Sequence, residues 1–280
     1  MSADTSKMQV AAIRELCKPL RLPTVAAQAA PLAEQAAKEK QSHICFLEAL
    51  LSAEVEEREQ NAVARRIKEA HFPKVKTLEE FDFHSAQHLP ATLIRHLSEG
   101  GYIGRTEPVL LLGEAGTGKT HLATGLGVAA CRQRKRVRFT TAAEMVNELV
   151  EARHNNELSR VTARWTRYEL LVIDEMGYVA LAEAGAEMLF QVIAGRAEKA
   201  AVIITTNLPF SEWTTVFPNA RLCKAMLDRL SFRDLVADDG RTRHRPGAHD
   251  NSAVGTALHS GIRKAMEPIL ARYRRFLADG

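Results

Sequence analysis

Sixteen residues, Leu110 to Gly125, read LLLGEAGTGKTHLATG, and they constrain the chain more than any other stretch. Three leucines run into a glycine-rich segment, GEAGTGKT, that fits the pattern GxxxxGK[ST] over Gly113–Thr120. A loop that wraps a triphosphate must turn its backbone N–H groups inward, and bulky side chains would obstruct that path. Gly113, Gly116 and Gly118 permit it. Lys119 then brings a positive charge to the β- and γ-phosphates, and Thr120 offers a hydroxyl to magnesium. A helix starting at Lys119 adds the positive end of its dipole. The expected nucleotide-binding segment is therefore Gly113, Glu114, Ala115, Gly116, Thr117, Gly118, Lys119, Thr120 and His121. His121 falls in the first helical turn, where packing or capping is its expected role. ATP with Mg2+ is the implied ligand pair.

A second element stands 55 positions after Lys119. In ELLVIDE (169–175), four apolar residues end in two acids. Asp174 at the strand end suits magnesium, and Glu175 beyond it can polarise an attacking water. A third element, AVIITTN (201–207), ends in Asn207, whose amide can orient water near a γ-phosphate. Each run is short, apolar and continuous, as are VLLL (109–112) and VRFT (137–140), and helical stretches of ten or more residues separate them. That alternation predicts a parallel sheet covered by helices on both faces.

The first 75 residues carry no strand pattern and read as helices. Ser42 is placed to cap a third helix whose apolar face would be Phe46, Leu47, Leu50, Leu51 and Val55, with Pro73 ending it. KVKTLEEFDF (74–83) reads as an extended linker with apolar anchors, followed by a short helix near 90–99. The expected divisions are a helical region at 1–75 for partner or DNA contact, a linker and entry helix at 76–107, an ATPase domain at 108–240, and a tail at 241–280.

Of 280 residues 46% are hydrophobic, enough for a substantial core. The first residues lack an apolar core of signal-peptide length, and no run approaches the ~18 apolar residues of a membrane span. A cytoplasmic protein without membrane contact is expected. Cys17, Cys45, Cys131 and Cys223 form no CxxC pair and are expected as free thiols. The net charge is only +4, but the positive residues cluster. One run is CRQRKRVR (131–138), and another set is Arg65, Arg66, Lys68, Lys74 and Lys76. A third set, Arg153, Arg160, Arg164 and Arg167, has intervals of seven, four and three, which would share one face of a single helix. That face is the expected contact with DNA phosphates, and without a base-reading motif the binding should be sequence-independent. Trp165 and Trp213 are expected in the core.

The three elements, taken in order, resemble those of an AAA+ ATPase. HFPKVKTLEEFDF, GEAGTGKTHLATGLG, IDEMGY, TTNLPFSEW and ARLCKAMLDRL bring the resemblance closer. Together they look like the IstB-type helpers of insertion-sequence transposition, relatives of the DnaC helicase loaders. The resemblance implies a P-loop sheet in the order 5-1-4-3-2 behind a helical N-terminal domain. It implies ATP hydrolysis, assembly into a homo-oligomer on duplex DNA, and work with a transposase to regulate target selection. Lys119 and Thr120 correspond to Walker A, Asp174 and Glu175 to Walker B, and Asn207 to sensor 1. Arg229 in LDRL matches the arginine finger that completes a neighbour's site. In relatives of this clade the segment between the second and third strands faces nucleic acid. A helicase loader and a nucleotide-binding module without turnover are the alternatives. After Leu230 the chain departs from the family: DLVA can supply a fifth strand, but no motif chooses among Arg241, Arg243 and Arg245 for sensor 2. RTRHRPGAHDNSAVG reads as linker, and GIRKAMEPILARYRRFLADG as a basic terminal helix.

Overall fold

The computed structural model describes residues 3–84, 86, 89–177, 181–196, 199–208, 212–217, 219–231 and 235–238. Three helices come first: α1 (Ala3–Leu20), α2 (Pro23–Lys38) and α3 (His43–Ala70). Ser42 caps α3 as expected, its hydroxyl accepting from Cys45 N–H at 3.2 Å. His71 ends the helix in the left-handed region at φ 58°. Pro23 opens α2, where its missing N–H is no loss. The preceding Leu22 has no side chain to cap with. A neighbouring helix supplies the cap instead. Glu54 of α3, 3% exposed, accepts from Thr24 N–H at 2.8 Å and Val25 N–H at 3.0 Å. Arg58 donates to the same carboxylate at 2.7 Å and to the Arg21 carbonyl. Beside this polar joint Cys17, Val25, Ala29 and Leu50 make a small core. The apolar stripe read on α3 is thus split. Leu50 is buried, whereas Leu47, Leu51 and Val55 are about half exposed at 48%, 48% and 55%.

Residues 72–83, which include the 74–83 segment read as an extended linker, form a strap along the helix that follows the glycine loop, α6 (Lys119–Arg132). Phe72 meets Phe139 edge-on at 6.0 Å. A Cβ on Gly125 of α6 would stand 2.6 Å from Leu78 Cδ2. This glycine sits mid-helix at a propensity cost of about 1 kcal/mol because the strap must approach that closely. His121 Nε2 pairs with the Thr77 carbonyl oxygen at 2.8 Å, and Arg132 reaches Glu79 at 2.8 Å. Two short helices, α4 (Ala91–Ser98) and α5 (Gly101–Gly104), lead into the sheet.

The sheet contains β1 (Val109–Leu112), β2 (Val137–Thr141), β3 (Leu170–Met176), β4 (Ala201–Thr206) and β5 (Leu235–Asp238), all parallel, in the order β2-β3-β4-β1-β5. This is the expected 5-1-4-3-2. Leu110, Leu171, Ile173, Val202 and Ile204 point to one face. There they pack on α7 (Ala142–His154), α8 (Leu158–Trp165), α9 (Glu183–Arg196), α10 (Trp213–Val216) and α11 (Ala220–Ser231). Their alternates Leu111, Val172 and Ile203 are also buried, and α6 covers that side. Trp165 and Trp213 are each 1% exposed, in the core as expected. Cys17, Cys131 and Cys223 are buried free thiols, and Cys45 is an exposed one. Among the described residues no helix is long and apolar enough to cross a membrane. The tail expected at 241–280 lies outside the described residues.

Burial works to raise the Glu54 pKa, but the Val25 N–H, Arg58 and the Thr24 N–H together hold it below the ordinary carboxylate range. A depressed folded-state pKa contributes stability above the unfolded value of about 4.3, lost as pH falls through the folded value. Glu54→Gln should therefore lower unfolding free energy by about 1–3 kcal/mol at neutral pH. The gap from the parent should shrink in acid. Denaturant titrations across the acid range measure this, and a gap independent of pH would contradict it.

Candidate functional site

The strand order decides where the chemistry can sit. β4 is inserted between β1 and β3, so the ends of β1, β4 and β3 lie side by side, with Leu112 opposite Thr206 and Thr206 opposite Met176. The glycine loop leaves β1, Asn207 follows β4, and Asp174 and Glu175 end β3. Crevices beyond the carboxyl ends of parallel strands are where such folds take ligands.

Gly113 N–H donates to the Thr206 carbonyl at 3.3 Å, which anchors the loop to β4. Gly118 stands at the head of α6 with φ 92°, a left-handed conformation that glycine adopts without steric cost. Lys119 Nζ donates to the carbonyls of Gly113 and Glu114, each at 2.6 Å, so the ammonium is held within the loop. Thr117 Oγ1 closes the loop on the Glu114 carbonyl at 2.9 Å. Glu114, Ala115 and Gly116 are exposed along its outer edge. His121 takes the packing role: its ring meets Phe81 edge-on at 5.2 Å, besides the bond to Thr77.

Asp174 is 4% exposed. Thr120 Oγ1 donates to it at 3.0 Å, and Thr205 Oγ1 donates to its Oδ1. A hydroxyl and a carboxylate converging in this way form a hard-oxygen donor set of the kind magnesium takes. Thr205 also accepts the Glu175 N–H at 2.9 Å. Glu175 stands at φ 58°, in a β-bulge between Ile173 and Met176, and is exposed between two buried neighbours. A non-glycine residue in that region costs roughly 1–3 kcal/mol and persists only when its surroundings impose it. The Thr205 bond is one such imposition. The bulge lifts Glu175 out of the sheet into solvent beside the buried Asp174. Thr205 is the member of this cluster that sequence reasoning missed. Its signal was the pair of hydroxyl residues before Asn207 in TTN.

The structure brings together Lys119, Thr120, Asp174 and Glu175, with exposed Asn207 just beyond the end of the strand between them. Arg229 lies on α11, and its side chain is outside the described residues, as are Arg241, Arg243 and Arg245. The single arginine face over 153–167 does not exist. α7 stops at His154, Asn156 takes φ 56°, and α8 begins at Leu158. Arg153 therefore belongs to a different helix from Arg160 and Arg164. Arg160 pairs with Glu157 at 2.6 Å, and Arg164 with Glu148 of α7. The run CRQRKRVR is largely paired as well. Arg134 meets Glu59 of α3, while Lys135 and Arg136 share Glu169 at 3.1 and 3.7 Å.

Residues 15–241 match the family described as IstB-like ATP binding protein. A protein named as an ATP-binding protein of insertion sequence IS5376, from Geobacillus stearothermophilus, is 37% identical over 224 residues, covering 80% of this chain and 89% of that one. A second, named for insertion sequence IS21 of Pseudomonas aeruginosa, is 37% identical over 199 residues, 71% of this chain and 75% of that one. Among solved structures, AMPPCP-bound DnaA from Aquifex aeolicus superposes with a TM-score of 0.50 at 20% identity, covering 59% of this chain and 50% of that chain. DnaI superposes with a TM-score of 0.50 at 13% identity, covering 58% and 90%. The structural likeness establishes the fold, a parallel five-stranded α/β sheet with a glycine loop after β1. The chain belongs to the IstB-like ATP-binding family of insertion sequences.

Removing the loop ammonium should weaken nucleotide binding, because the Gly113 and Glu114 carbonyls hold Lys119 Nζ inside the loop where the phosphates would lie. Lys119→Ala should lose about 10- to 100-fold in ATP affinity, the equivalent of a charge-assisted contact. An equilibrium fluorescence titration reads this directly, and parental affinity would contradict the loop's assignment.

Proposed function

We propose that the protein is an ATP-hydrolysing helper of an insertion-sequence transposase, which assembles as a homo-oligomer on duplex DNA and uses turnover to regulate target selection. One observation carries the hydrolytic reading: exposed Glu175 on its bulge, bound through Thr205 to the same Asp174 that meets Thr120. A module that only bound nucleotide would have no use for a strained glutamate beside a magnesium-type donor pair.

In this reading Lys119 places positive charge against the β- and γ-phosphates, and the loop N–H groups orient them. Thr120 and Asp174 would hold Mg2+, which would offset negative charge on the phosphate oxygens. Glu175 accepts a proton from the attacking water, and Asn207 orients that water. Thr205 fixes the position of both acids and touches neither water nor nucleotide; it is a positioning residue. Arg229 serves the site of the adjacent copy, where a guanidinium can add roughly 10³–10⁵ in rate. The partner contact falls to the N-terminal helices, on which Ile44, Leu47, Leu51 and Val55 leave an exposed apolar stripe along α3. The insertion-sequence naming of the relatives supports the transposase as that partner.

Glu175→Gln should bind ATP as the parent does and turn over about 10²- to 10⁴-fold more slowly. Thr205→Val should also keep ATP binding and lose about 10- to 100-fold in turnover through misplacement of the acids, while Thr205→Ser stays close to the parent. Parental turnover in Glu175→Gln would remove it as the base. Equal loss in the serine and valine variants would mean that the Thr205 hydroxyl is not what matters.

Arg229→Ala and Lys119→Ala should each be nearly inactive alone. Mixing them should restore activity, because some interfaces then join an intact loop to an intact finger. A mixture no more active than its parts, with mixed oligomers shown to form, would contradict a finger acting between subunits.

A further inference from the structure

On the opposite side of β2 from the nucleotide crevice, at the strand's entry, the structure holds a second charged cavity of about 350 Å³. Arg66 near the end of α3, Arg136 at the start of β2, and Arg164 and Arg167 around the α8–β3 turn all line it. The left-handed turn at His71 brings that residue into the wall, and Glu69 is the one acid among the lining residues. Four guanidiniums in one cavity repel one another unless something offsets them. Glu69, Glu169 and Glu148 each hold one, Arg66 at 3.2 Å, Arg136 at 3.7 Å and Arg164 at contact distance. Among the described residues no carboxylate pairs with Arg167. The cavity therefore keeps an excess of positive charge, and the charged heads are steered by carboxylates that mostly lie outside it.

The wall is also built from beneath. Arg196, 1% exposed, has no carboxylate partner among the described residues. It donates instead to the carbonyls of Trp165 at 2.7 Å, Tyr168 at 2.8 Å and Ala201 at 3.2 Å. Desolvation lowers its pKa to about 10, still far above neutrality, so the group stays charged. A buried cation is thus spent on pinning the turn that carries Arg164 and Arg167. The neighbouring Trp165 ring carries Arg164 and Arg138 at 5.9 and 5.7 Å from its centroid, which fixes the outer heads further.

We infer that this cavity is a site for the phosphodiester backbone of DNA, clamped between the end of α3 and the α8–β3 turn. The inference rests on the reading above that the protein works on duplex DNA, and it relocates the contact. Planar guanidinium forks match phosphate oxygens two at a time. The cavity volume accommodates a phosphate with its flanking sugars, and the lining is too poor in apolar side chains for a peptide. Arg153 and Arg160, which the sequence grouped with Arg164 and Arg167, do not line it. Because α3 and the ATPase sheet each supply arginines, backbone bound here ties the helical region to the sheet.

The test is duplex binding by the full chain as a function of salt. Each phosphate contact contributes about one unit to the slope of log affinity against log salt. Arg66→Ala with Arg167→Ala should flatten the slope by about one to two units, one from unpaired Arg167 and up to one more from Arg66 as phosphate displaces Glu69, whereas Arg153→Ala with Arg160→Ala should leave it near the parental value. An unchanged slope in the first pair, or equal losses in both, overturns the site. An abasic deoxyribose-phosphate oligomer provides the second arm. If the parent binds the oligomer but not duplex, and the Arg66/Arg167 pair abolishes that binding, the cavity stands and the duplex reading falls. If neither probe binds, or if an acidic peptide binds more tightly through the same arginines, the phosphodiester assignment falls. Parental melting curves for both variant pairs show that lost binding is not lost folding.

Discussion

A carboxylate buried to the extent of Asp174 must be satisfied, and the means of satisfying it organises the site. Two threonine hydroxyls do so, Thr120 from the head of α6 and Thr205 from β4. Each lies on an element adjacent to β3 or packed on it, so this one charge ties the glycine loop to two central strands. The same Thr205 takes the Glu175 N–H and stabilises its left-handed backbone. Buried charge is costly unless paired and hydrogen-bonded. Here that cost also sets geometry, because the carboxylate cannot move without leaving a polar group orphaned.

The strap from residue 72 to 83 does related work on the other face. It binds α6 through apolar contact at Leu78 and Phe81, a backbone oxygen at Thr77, and an ion pair at Glu79. These contacts run along the helix that carries Lys119 and Thr120 at its head. Gly125 accepts a propensity penalty so that Leu78 can approach. The loop is therefore held from below by strands and from the side by the strap, while Glu114 to Gly116 remain at the surface.

Much of this was legible. Continuous apolar runs marked β1 to β4 within two residues of their ends, because strands buried on both faces leave little choice of residue. The glycine loop and the two acids were legible because phosphate and magnesium demand particular atoms at particular spacings. The strand order, in contrast, came from the family resemblance, since nothing in local pattern says which strand β4 will enter between. Thr205 was missed because a threonine in a strand is normally explained by β propensity alone. Its role is defined only by a partner 31 residues away. The N-terminal cap of α2 was hidden for the same reason: Glu54 lies about thirty residues from the N–H groups it receives.

The arginines show the limit most clearly. Intervals of seven, four and three are helical only if the helix is continuous, and a left-handed Asn156 breaks it. Sequence counts charges but cannot subtract their partners. CRQRKRVR looked like the most basic surface, yet its charges are largely taken by Glu59, Glu79 and Glu169 from three separate segments. What distinguishes a structural arginine from an available one is the carboxylate that folding brings to it. By that criterion Arg167 is a more available cation than Arg160 and Arg164, with which the sequence grouped it, or than the paired charges of CRQRKRVR. The charge that remains after pairing, not the charge that the sequence displays, is what a phosphate backbone would meet.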